Sequence, residues 1–127
     1  MGYTVKNLLS VEDMIAKRGL GDMGEARFAR QDLDAQGTGL CHQRLRPGKR
    51  QPFGHRHEQA EEIYLVLSGS GRVKLDEEIV EINPMDAIRV SPQITRAFEA
   101  GPQGLEFVVF GPHHDSDGEI VPDWWSD

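Results

Sequence analysis

Residues 55–69 read HRHEQAEEIYLVLSG. His55 and His57 are two apart, so on an extended backbone both imidazoles leave from the same side. Glu62 opens an apolar run that continues to Leu67. Glu62, Tyr64 and Val66 share one face of that run, and Ile63, Leu65 and Leu67 share the other. Both faces are apolar apart from Glu62, the pattern of a central strand. A carboxylate in such a place needs a partner, a proton or a cation. Two imidazoles and one carboxylate form a donor set for a borderline divalent metal. The spacing equally fits an alternative, with both histidines in an exposed loop after Pro52-Phe53-Gly54 and Glu62 as a rim charge beside Glu61. Alternation points Glu61 away from Glu62's face.

Composition bounds what surrounds this stretch. A chain of 127 residues has the size of one domain, and a chain this long buries a core without staples. Hydrophobic and charged contents of 38% and 28% are those of a globular protein rather than a disordered one. The net charge of −7 argues against a nucleic-acid surface and gives no general attraction to anionic membranes. The local basic run Arg44, Arg46, Lys49, Arg50 and Arg56 reads as a solvated strand end and loop, with an anion site as the rarer use. No stretch approaches the ~20 apolar residues of a membrane span. The first residues lack the pattern of a secretion signal, and the single Cys41 cannot form an intrachain disulfide. A cytoplasmic location is the expectation, with Cys41 as a small core residue.

The rest of the chain is punctuated like a β-protein. Ser10 is placed to cap a helix over residues 11–18, stopped by Gly19. Short apolar runs then alternate with turns, as in an all-β sandwich or barrel. Strands are expected near residues 26–30, 38–46, 55–57, 62–68, 71–75, 78–82, 87–90, 95–99 and 105–110. The segments 69–71, 76–77, 83–86 and 101–104 carry turn chemistry. Residues 1–24 are expected to be helix and linker, 25–111 the barrel, and 112–127 a tail packed on the barrel or on a partner subunit. The three glycines of Gly19–Gly24 mimic a dinucleotide-binding fingerprint. They follow a helix and precede a strand, the wrong order for phosphate, so a linker is the reading.

On these residues the chain resembles the cupin superfamily, as a small single-domain member. Pro47-Gly48, His55-Arg56-His57, Glu62 and Gly69 match its first motif, with the first glycine one residue further from the histidines than usual. Asn83-Pro84-Met85-Asp86 and the segment from Val90 to Phe98 stand where the second motif falls, the former in place of proline-glycine-aspartate. The resemblance implies a double-stranded β-helix, or jelly roll, with a site inside the barrel. It also implies His55, His57 and Glu62 as metal ligands.

One departure governs the expected function. Arg96 stands where cupins present their last metal-binding histidine, and a guanidinium cannot ligate. Three ligands still hold a metal with open positions. A dication ~6 Å from the guanidinium is opposed by roughly 5 kcal/mol, whereas Glu62 at ~4 Å attracts the same guanidinium by roughly 4 kcal/mol before desolvation. Two states therefore compete. In one, the triad holds iron, manganese, zinc or nickel, and Arg96 and Tyr64 act on a small anionic ligand, as in a metal-dependent oxygenase, isomerase or hydrolase. In the other, Arg96 pairs with Glu62 in a metal-free binding or sensor module. His42, His113 and His114 are the remaining imidazoles, with His42 able to face inward. No organic cofactor is expected. A homodimer is expected, through Phe28, Phe107 or Phe110, or Trp124-Trp125.

Overall fold

The computed structural model describes residues 2–125. The strands are β1 (Gly24–Phe28), β2 (Thr38–Leu45), β3 (Gly54–His57), β4 (Glu62–Leu75), β5 (Glu78–Ile82), β6 (Ala87–Val90), β7 (Arg96–Pro112) and β8 (Gly118–Val121). Every pairing is antiparallel. Strands β4 and β7 form the spine. Their Glu62-end half pairs with β2 and β6, and their other half with β3 and β5. This two-layered curl is the all-β jelly roll that the alternating runs and the motif pattern anticipate.

Two expected turns are bends within single strands. Residues 62–68 and 71–75 join as β4, and 95–99 and 105–110 join as β7. The ladder continues through register shifts at Val66/Ser68 and Gly69/Gly71. Glycine permits this by letting backbones touch. A Cβ on Gly69 would lie 2.1 Å from the Gly104 carbonyl oxygen, and one on Gly71 would lie 2.1 Å from that of Glu99. Glycine-rich segments thus read as hairpins where the chain only turns a barrel corner.

Alternation sends Cys41, Tyr64, Val66, Val73, Phe98, Phe107 and Val109 inward. Phe98 and Phe107 stack at 4.5 Å between ring centroids, and Tyr64 packs on Phe98 at 4.8 Å. Each such ring contributes about 1.5–3 kcal/mol by leaving water. Phe107 is therefore core and is not available to a partner subunit. The Cys41 thiol is pushed up to about 12 by burial, as suits a packing residue.

Both ends of the chain differ from expectation in detail. Helix α1 spans only Met14–Lys17, after a 3-10 turn at Leu8–Ser10. Its cap is Asp13, whose Oδ1 accepts the N–H groups of Ile15 and Ala16 and also that of Ala26 on β1. That third bond ties the segment to the barrel and displaces the cap from Ser10. At the other end β8, absent from the expected strands, pairs along β3 from Gly54 to His57. Lys74 Nζ donates to the Trp124 carbonyl, and Trp125 Nε1 donates to that of Gln51. Among the described residues, no helix is long and apolar enough to cross a membrane.

Candidate metal centre

Glu62 opens β4 and Arg96 opens β7, at the end of the barrel remote from the glycine bends. Strand β3 carries His55 opposite Arg96, and the N–H of His57 donates to Pro92 at 2.7 Å. Its extended backbone puts both imidazoles on the inner side, with ring centroids 5.3 Å apart. One ligand atom each from His55, His57 and Glu62 lie within 4.8 Å of one another. Glu61 faces away and meets Arg89.

Glu62 Oε1 is the hub. Tyr64 donates its hydroxyl to it at 2.8 Å. His57 Nε2, Arg96 Nη2 and His55 Nε2 stand 3.3, 3.4 and 3.5 Å away. Burial alone would raise the Glu62 pKa. Hydrogen bonding from His55 and His57, the charge of His57 and the Tyr64 hydroxyl more than offset it, holding the carboxyl well below its usual range. Tyr64 is pushed the other way by burial and by Glu62, so it remains a hydroxyl donor at neutral pH.

Arg96 is 0% exposed. Its Nη1 donates to the carbonyls of Ile94, Pro92 and His55 at 2.8, 3.2 and 3.4 Å. The guanidinium is thus anchored to backbone and does not swing away from Glu62. Its contacts in this structure are all with the protein. Tyr64, at 1% exposed, is likewise sealed beneath Glu62.

These residues fit a divalent ion. The four close contacts of Glu62 described above, from Tyr64, His57, Arg96 and His55, all gather at Oε1. Both ring nitrogens of His57 are buried and stand 3.3 Å from a carboxylate oxygen without a well-aligned hydrogen bond, Nε2 toward Glu62 and Nδ1 toward Asp117. His42 is not part of the centre. Cys41 faces inward, so alternation puts His42 outside, where its Nε2 meets Glu106 at 2.7 Å. His113 meets Asp115 in the tail. Three members of the basic run pair with carboxylates outside the barrel, Arg44 with Glu106 and Glu25, Arg50 with Glu99 and Arg56 with Glu119, and Arg46 donates to the Gly21 carbonyl. Two surface clefts of about 230 and 350 Å³ lie at the glycine-bend end and are lined by none of the triad.

One neighbour of the centre carries no signal in the periodic pattern. Asp117, just before β8, stands 3.3 Å from His57 Nδ1. Only the Asp-Gly pair at 117–118 marks its segment, and that reads as turn chemistry.

Known proteins share this frame. The cupin domain family matches residues 41–111. No curated protein sequence matches the chain. Among solved structures, a cupin protein from Bacteroides fragilis is 23% identical over 100% of this chain and 98% of its own, with a TM-score of 0.73. A polyketide cyclase from Streptomyces resistomycificus is 22% identical over 98% of this chain and 87% of its own, at 0.74. Oxalate decarboxylase from Bacillus subtilis is 22% identical over 95% of this chain but 34% of its own, also at 0.74.

Proposed function

The chain belongs to the cupin domain family, and on that premise we propose that it binds a divalent transition metal through His55, His57 and Glu62 and, at that metal, a small molecule with an anionic oxygen donor. The observation that carries this reading is the convergence of the three ligand atoms within 4.8 Å. Iron, manganese, zinc and nickel all suit two imidazoles and a carboxylate. When bound, such an ion polarises a ligand oxygen or activates water, and iron or manganese adds redox chemistry.

The chain's own residues supply the setting. Tyr64 and Arg96 orient the Glu62 carboxylate and stabilise its charge, so their action on a ligand runs through Glu62. The rings of Tyr64, Phe98 and Phe107 fill the barrel below and confine a ligand to the mouth. His55 is the most open of the three ligand side chains, so the approach lies on its side. Structures of this fold named as cyclase and decarboxylase illustrate that the fold does not select a reaction. An oxygenase, an isomerase or a hydrolase is compatible with the centre.

The 3.4 Å approach of Arg96 to Glu62 supports a second reading, a metal-free binding module closed by that pair. Metal analysis separates the two. Protein purified without chelators or nickel resin, then equilibrated with zinc, manganese or ferrous iron and desalted, should retain about one ion per chain. Retention below roughly a tenth of an ion for every metal would leave the metal-free module standing.

A further inference from the structure

The imidazole of His57 is bracketed by two carboxylates. Its Nε2 faces Glu62 Oε1 and its Nδ1 faces Asp117 Oδ2, each at 3.3 Å. The Asp117 side chain is only 4% exposed. Its Oδ1 accepts the backbone N–H groups of Glu58 and Gln59 at 3.1 and 2.9 Å, and its Oδ2 accepts that of Ala60 at 3.0 Å. These residues form the connection between β3 and β4, so one carboxylate grips both the link between two ligand strands and one ligand ring.

We propose that Asp117 is a positioning residue of the metal centre: it accepts the Nδ1 proton of His57, keeps Nε2 directed at His55 and Glu62, and ties down the 58–60 connection. The affinity consequence rests on the metal reading above; the proton location does not. An ionised carboxylate can only accept, and three N–H groups already point at it, so its remaining capacity toward His57 takes a ring N–H. A ring that donates from Nδ1 to such a carboxylate presents Nε2 to a metal in a fixed orientation. Asparagine cannot replace it. With its oxygen kept on the Glu58 and Gln59 N–H groups, its amide NH2 would face the Ala60 N–H and the ring Nδ1, pushing the imidazole proton to Nε2.

The test uses the full chain with 15N-labelled histidine. At one fixed pH near 8, long-range 1H–15N spectra should show wild-type His57 protonated at Nδ1, with or without zinc. In Asp117→Asn that proton should be lost, and zinc affinity should fall roughly tenfold to hundredfold. In a His57→Ala background, Asp117→Asn should change zinc affinity by less than about twofold, because the residue acts through His57. An unprotonated Nδ1 in the wild type overturns the proposal even if Asp117→Asn fails to fold. An equal affinity loss in both backgrounds also overturns it, since Asp117 would then serve the fold alone. A wild type that takes up no zinc defeats the metal reading, and the Nδ1 proton still decides this one.

Discussion

Arg96 and Glu62 form an unusual pair because neither is free to leave. Arg96 is held by three carbonyls, and Glu62 by a hydroxyl and three nearby nitrogens. A cation fixed beside a metal site lowers its affinity for a dication. Replacing that cation with an imidazole should do the reverse and supply a fourth donor. Arg96→His is therefore expected to tighten zinc binding by roughly tenfold or more. The same change strips a donor from buried carbonyls, so unfolding stability should fall by about 1–3 kcal/mol. Calorimetric zinc titration and urea denaturation read the two effects separately. A folded variant with unchanged zinc affinity would show that Arg96 does not oppose the ion.

Among the elements, the turn between β5 and β6 departs most from its ideal chemistry. The N–H of Asp86 donates to the Asn83 carbonyl, with Pro84 and Met85 at the centre. Met85 has φ of 72° and is 76% exposed. This is the third position of a type II turn, where glycine is favoured. A methionine there carries a left-handed penalty with no visible packing to offset it. Met85→Gly should stabilise the fold by about 0.5–1 kcal/mol after the entropy that glycine loses. The expected signature is a higher urea midpoint with an unchanged slope. A lower midpoint would mean that the Met85 side chain has a partner in solution.

For the molecule as a whole, the outer face of β2, β4 and β7 is the exposed apolar surface that needs explaining. Register places Leu40, Ile63 and Phe110 in one outward row and Leu65 and Val108 in the next. Phe110 is 37% exposed, and Leu67 beside this face is 41% exposed. Burying such a face against a second chain would remove apolar area from water. We expect a homodimer through it, with Phe110 as an anchor. Trp124 and Trp125, also expected as contacts, are occupied by Lys74 and Arg50 of their own chain. Sedimentation at micromolar concentration should give twice the chain mass, and Phe110→Glu should halve it. A monomeric wild type at that concentration would remove the dimer.

Periodicity and residue chemistry alone carried the all-β class, the same-side placement of His55 and His57, and the placement of Glu62 on an otherwise apolar strand, while an exposed loop for the two histidines stayed open until the family resemblance was added. Those features are local: a two-residue repeat decides which side chains share a face, and a buried carboxylate demands a partner wherever it sits. Strand continuity through the glycine bends was not local. It depends on backbone meeting backbone across β4 and β7, which no window of either strand contains. The same holds for Arg96, whose charge was legible but whose anchoring needed three carbonyls from two segments. Asp117 is the furthest case. Sixty residues separate it from His57, and only the pairing of β8 with β3 closes that gap to a 3.3 Å contact.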